Sequence, residues 1–141
     1  MPKPAFASSI DAEAAFYRAI EEADLELMSA VWADDTDLIC VHPMRTALRG
    51  RSVILQSWGA MLQHGPPLRF NLLDQQCYAH ADVHIHSLYE SITVQGENEA
   101  NPPLAATNIY RHYTEGWRII SHHASICAAD ELAPASDKVL H

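Results

Sequence analysis

At Leu68 the hydrophobic repeat of this chain changes from helical to strand-like, and no other feature limits the available folds as strongly. Before it, apolar residues recur at three- and four-residue spacing; after it, alternation of period two prevails. Helices first and strands afterwards, without alternation, predict an α+β chain whose helices gather on one face of a curved antiparallel sheet. A sheet closed by helices at one end makes a cone with a pocket inside.

The helical half opens at Ser8 or Ser9, where a hydroxyl can cap free amides, and Asp11 and Glu13 put acids into a first turn whose dipole favours them. Phe16, Ile20 and Ala23 continue an apolar stripe to about residue 23. Asp24 reads as a second cap, ahead of Leu25, Met28, Val31 and Trp32 on one helical face. After the acidic turn 34–37, Leu38 to His42 is β-prone and stops at Pro43, with room for a very short strand near Ala47 and Leu48. Ile54, Trp58, Met61 and Leu62 predict a third helix from about Ser52 to Gly65. Strands are then expected at about 69–80, 83–95, 104–114 and 117–127, as a meander of hairpins. Residues 1–8 read as an N-terminal extension without the apolar stretch of a signal peptide, 9–127 as the domain, and 128–141 as a tail without regular structure.

A chain of 141 residues is the size of one core, and 48% hydrophobic against 19% charged residues argues for a soluble globule. The formal net charge of -9 repels phosphate backbones and anionic lipid, so neither nucleic acid nor membrane is expected as a partner. Cys40, Cys77 and Cys127 are an odd, scattered set; they fit reduced thiols in a cytoplasm, in apolar strand contexts that leave them inert. No G-x-S-x-G, Walker loop or G-x-G-x-x-G occurs, which removes support for a serine hydrolase or a nucleotide cofactor.

The order helix, helix, strand, helix, four long strands resembles the nuclear transport factor 2-like superfamily and, within it, the SnoaL-like domains. Specific stretches carry the likeness: Ala15 to Ile20, Trp32 before the acidic turn, Val41-His42-Pro43, Leu48-Arg49-Gly50 ahead of Ser57-Trp58, Tyr89-Glu90, Ala106 to Arg111, and Gly116 to Ser125. The resemblance covers about residues 9–127. It implies a cone-shaped fold, three helices over a curved sheet, an apolar pocket between them and a homodimer through the outer sheet face. Relatives include isomerases, dehydratases, cyclases, hydrolases and non-enzymatic association modules, so the resemblance does not name an activity.

Glu90 is the first candidate for chemistry. Strand phase puts it with His84, His86, Leu88 and Ile92, and an inward carboxyl in an apolar pocket becomes an acid or base usable near neutrality. His122 and His123 point to opposite faces, so one of them faces inward; a three-residue loop 114–116 sets Asn108 near His122, and a two-residue loop 115–116 sets it near His123. His42 is held extended by Pro43 at a strand end. These four are the catalytic candidates. Tyr17, Trp32, Arg49, Trp58, Asn108 and Tyr110 are candidates for contact with a small apolar substrate, the aromatic ones competing with a plain core role. His84-x-His86 would need a third imidazole to hold a metal, so no metal and no other cofactor is expected. Two functions remain: a metal-independent lyase, isomerase or hydrolase working by general acid–base catalysis, or a non-catalytic ligand-binding or association module.

Overall fold

In the computed structural model, which describes residues 4–99 and 101–128, the helical half forms three helices. α1 (Ser9–Glu21) starts where Ser8 Oγ accepts the Asp11 amide at 3.0 Å. It ends two residues short of the apolar stripe because Ala23 turns left-handed at φ 52°. The Asp24 amide then reaches back to the Ala19 carbonyl, and the Ala23 amide to that of Ile20, closing the open end of the helix. α2 (Leu25–Val31) follows at once, capped by Asp24 on the Leu27 amide at 3.0 Å. α3 (Arg51–His64) is tied to the end of α2 by one side chain: the Arg51 guanidinium donates to the carbonyls of Ser29, Trp32 and Ala33 at 2.8–2.9 Å. Carbonyls left open by the end of α2 are thereby satisfied.

The sheet contains β1 (Ile39–Val41), β2 (Leu48–Arg49), β3 (Leu68–His80), β4 (Val83–Val94), β5 (Leu104–Tyr113) and β6 (Gly116–Ile126), in the spatial order β2-β1-β6-β5-β4-β3. The four long strands are the expected antiparallel meander, and β1 adds to β6 in parallel, Cys40 opposite His122. The result is a cone-shaped α+β fold with an open, curved sheet and the helices over its concave face. Almost all of the expected tail lies outside the described residues.

Two bulges decide which residues face inward. In β3 the register with β4 shifts by one residue between Leu73 and Gln76, with Asp74 left-handed at φ 48°. Before the shift the even residues Leu68, Phe70 and Leu72 face the helices; after it, Cys77 lies opposite the inward His86. In β6 a second shift falls between the Ile109–Ser121 and Tyr110–Ile119 pairs. The β5–β6 turn is a two-residue loop, Thr114-Glu115, which neither sequence alternative named. Without the second shift that loop would put Asn108 opposite Ser121; the extra residue restores the Asn108–His122 pair.

Phe16, Tyr17, Trp32, Met28 and Trp58 fill the interior with Ile54, Tyr110 and Ile119. Phe16 is central, its ring meeting Tyr17, Trp58 and His122 at centroid distances of 5.0, 5.5 and 4.9 Å. The segment before α1 straps the start of β6: the Phe6 carbonyl accepts the Trp117 amide at 2.9 Å, beside Gly116 at φ 108°. A Cβ on Gly116 would come within 2.8 Å of the Phe6 carbonyl oxygen, whereas one on Gly96 (φ 94°) meets nothing within 4 Å. Gly116→Ala should therefore cost roughly 2–4 kcal/mol from strain and overlap together, and Gly96→Ala only the backbone share, about 1 kcal/mol. Equal losses in paired urea melts would refute this account of the strap.

Candidate functional site

The helix α1 carries an acid on its buried face, one turn from Ser9 on one side and from Tyr17 on the other. That acid is Glu13, and its carboxylate collects four donors. His86 Nδ1 at 2.9 Å, the Asn108 amide at 3.3 Å and the Tyr110 hydroxyl at 3.1 Å donate to Oε2, and the Gln75 amide to Oε1 at 3.1 Å. Burial raises its pKa, but the hydrogen bond from His86, the charge that ring adds whenever it is protonated, and the bonds from Asn108 and Gln75 outweigh that and hold it below the ordinary value. Glu13 is the ionised member of the site.

Glu90, on the neighbouring part of β4, is treated in the opposite way. It is 3% exposed and takes one hydrogen bond, from the Tyr17 hydroxyl to Oε2 at 2.6 Å. Burial raises its pKa, the Tyr17 bond lowers it, and the negative charge of Glu13 raises it again, leaving the carboxyl at about 7. Tyr17 is pushed well above its ordinary value by burial and by Glu90, so it stays a donor. Two carboxyls in one polar cluster are thus driven apart, one ionised and one poised near neutrality.

Asn108 links the parts. Its amide nitrogen donates to Tyr17 at 2.9 Å as well as to Glu13, and its oxygen accepts from His122 Nδ1 at 2.6 Å. Since Oδ1 of Asn108 can only accept, His122 carries its proton on Nδ1. Burial, then the charges of His42 and His123, lower its pKa to about 3, so it is a neutral imidazole. From Glu13 the cluster continues the other way: His86 Nε2 lies 3.0 Å from Ser9 Oγ, and Ser9 Oγ 2.7 Å from His84 Nδ1. With Nδ1–H of His86 given to Glu13, Ser9 donates to Nε2 and accepts from His84.

The structure brings together Glu90, Tyr17, Asn108, Tyr110 and His122. His42 is buried at the end of β1, its Nε2 3.0 Å from Ser57 Oγ, in the wall of a cavity of about 470 Å³ with Pro43, Arg45 and Leu48. Burial and the neighbouring Arg45 charge lower its pKa. Trp58 joins the two regions, touching His42 and His122 at 4.9 and 5.9 Å and lining a second cavity of about 370 Å³ with Ile20, Leu62 and Leu68. Trp32 is buried in the core. Two candidates lie elsewhere: His123 is exposed beyond the inward His122, and Arg49 is exposed on the edge strand β2. Trp58, His42 and His86 each stand in the wall of one of three cavities, and none of these three has Glu90 in its wall.

The sequence reading missed Glu13, His86 and Ser9 as members of one cluster. In the sequence Glu13 fits the helix dipole; the usable signal is its spacing of four from Tyr17 on a mostly apolar face. The cysteines also need correction, because only Cys40 is buried, while Cys77 is exposed and Cys127 half-buried. One thiol, Cys77, stands with His84 and His86 as a donor set able to hold a metal ion.

The likeness to known proteins follows this geometry. A structure named as a calcium/calmodulin-dependent protein kinase type II association domain, from Thiobacillus denitrificans, is 35% identical, covers 89% of this chain and 99% of that one, and superposes with a TM-score of 0.84. A structure named as a dehydratase of the NTF2-like family, from Streptomyces avermitilis, is 31% identical over 83% of this chain and 92% of that one, with a TM-score of 0.75. Among curated proteins, the F-box protein SKIP8 of Arabidopsis thaliana is 20% identical over 116 residues, 82% of this chain and 48% of that protein. The chain thus spans about half the length of the curated relative it matches. The SnoaL-like domain model matches residues 11–129, nearly all of the cone. On that match and this architecture, the chain belongs to the SnoaL-like domain family of NTF2-like proteins.

Proposed function

We propose that this protein binds a small apolar molecule in the cone and moves a proton on it through Glu90, as a metal-independent lyase, isomerase or hydrolase. One observation carries the reading: a 3% exposed carboxyl held at about 7, with a single orienting donor, beside a second carboxyl that stays ionised. Glu90 Oε2 is fixed by Tyr17, leaving Oε1 as the oxygen that exchanges a proton with substrate. Tyr17, whose proton is firmly held, offers its hydroxyl to Glu90 and steadies whichever charge state forms. Trp58, which lines a cavity, gives the ligand an apolar wall, while its buried indole N–H lies on the side of the Cys40 thiol. Phe16 stands among Tyr17, Trp58 and His122, so a ligand travelling from the Trp58 cavity to Glu90 displaces its ring.

That aromatic filling favours a second reading, a non-catalytic association module, in line with the name of the 35% identical relative. A thermal-shift screen of apolar hydroxy, keto and epoxide compounds separates the two. Under the first reading some compound raises the midpoint of wild type, and any turnover disappears in Glu90→Gln with the fold retained. If no compound stabilises the protein, the second reading stands.

Both readings include a homodimer formed by the outer sheet face. Tyr78, 65% exposed, lies in register with Ile85 on β4, which pairs with Ile109 on β5, giving an apolar row on the side that the helices leave uncovered. Sedimentation should show a dimer at micromolar concentration and a shift to monomer in Ile85→Glu. The formal charge of -9 argues against nucleic acid and anionic membrane as partners, and no helix among the described residues is long and apolar enough to cross a membrane. Three unpaired thiols fit a reducing cytoplasm.

Glu90 also sets a pH dependence. Its folded pKa lies above its ordinary 4.5, so the fold holds the proton more tightly than the unfolded chain does. The associated stability is present below about 4.5 and is lost as pH rises to about 7. Glu90→Gln removes that loss. Relative to wild type, the variant should gain stability progressively from pH 4.5 to 7, reaching roughly 3 kcal/mol by the tenfold-per-1.4-kcal/mol rule. A difference that stays flat across this range, in denaturant melts at matched ionic strength, would exclude a protonated Glu90.

A further inference from the structure

We propose that Cys77, His84 and His86 form a binding site for one borderline-soft divalent transition-metal ion of the zinc type, at the far end of the polar cluster from Glu90. The backbone register puts the three together. Cys77 lies directly opposite His86 across β3 and β4, and His84, two residues earlier on β4, shares their face. The bulge after Leu73 is what turns Cys77 inward; on unbroken alternation its thiol would sit on the outer face of the sheet. One ring nitrogen of each histidine and the Cys77 sulfur lie within 4.8 Å of one another. Tetrahedral zinc with bonds of about 2.0–2.3 Å wants its donors roughly 3.3–3.8 Å apart, so a side-chain rotation closing an ångström or so completes the set.

The surroundings are those of a prepared ligand set. His86 gives Nδ1–H to the Glu13 carboxylate at 2.9 Å, which fixes the ring and turns the bare Nε2 toward the site. Carboxylate support of this kind raises the donor strength of an imidazole and orients it. His84 is held against Trp117 at a centroid distance of 4.2 Å. Its Nδ1 and His86 Nε2 both aim at one point, now taken by Ser9 Oγ at 2.7 and 3.0 Å. An ion takes that point as the hydroxyl swings aside and the His84 proton passes, through solvent, from Nδ1 to Nε2. Cys77, exposed in the wall of a cavity of about 310 Å³ with Ile10, Gln75 and His86, supplies the entry path and leaves room for a water as fourth ligand. Binding releases the Cys77 thiol proton to solvent, since the thiolate is the ligand. A thiolate with two imidazoles selects zinc-like ions over magnesium or calcium, which require oxygen donors. The third donor that His84-x-His86 lacked in sequence is therefore a thiol, and the site is distinct from the proton-transfer chemistry proposed at Glu90.

The test uses the full chain in a non-thiol reductant, titrated with cobalt(II) and then zinc. One equivalent of cobalt should give a near-ultraviolet thiolate-to-cobalt charge-transfer band, which zinc abolishes by displacement. Cys77→Ser, at an exposed position, should remove the band, while Cys127→Ser keeps it. His84→Gln should weaken zinc by at least the 10–100-fold typical of losing only a supporting hydrogen bond. Wild-type protein without a stoichiometric band, or a band that survives in Cys77→Ser, overturns the proposal.

Discussion

The arrangement of this protein's interior depends on keeping one charge, the Glu13 carboxylate, inside a core. A bare carboxylate there would be prohibitive, and four donors from α1's facing strands make it tolerable. Meeting that demand fixes the rotamers of His86, Asn108, Tyr110 and Gln75 at once, so the relation of α1 to β3, β4 and β5 is specified by polar geometry as well as by packing. Apolar contacts between Phe16, Trp32 and Trp58 would admit small slides; a carboxylate with directional partners does not.

The same charge organises the chemistry on both sides. Toward Glu90 it acts through space, adding to the burial that chiefly raises the pKa of that carboxyl. Toward His86 it acts through a hydrogen bond, assigning the tautomer and leaving Nε2 to face Ser9, in the group that also holds His84 and Cys77. Asn108 extends the order to His122, whose proton position follows from what Asn108 can accept. The raised Glu90 carboxyl and the Cys77, His84, His86 donor set are thus two ends of one cluster, joined at Glu13, while the cavities at Trp58 and His42 have other walls.

Packing works against access. Phe16 and Trp58 occupy the centre of the cone that a substrate would need, which gives the fold a dense core of aromatic rings. Such a core stabilises the domain whether or not its interior admits a ligand. Membership in the SnoaL-like family leaves both readings open, because the family shares a scaffold and not a reaction.

The period change at Leu68, the caps at Ser8 and Asp24 and the turns between long strands made element order and the cone-shaped α+β architecture legible from sequence, since these are local effects of backbone and side-chain chemistry. The phase of Glu90 was legible too, because β4 runs without a bulge from Val83 to Glu90 against β5. Only the tertiary structure decided the rest. A one-residue shift in β3 brought Cys77 to the face of His86, and another in β6 paired Asn108 with His122 despite a loop shorter than that pairing would otherwise need. Glu13 became a core charge only once four residues distant in sequence converged on it. Alternation predicts faces only while the register holds, and a bulge, set by strain and packing between strands, reverses every face beyond it.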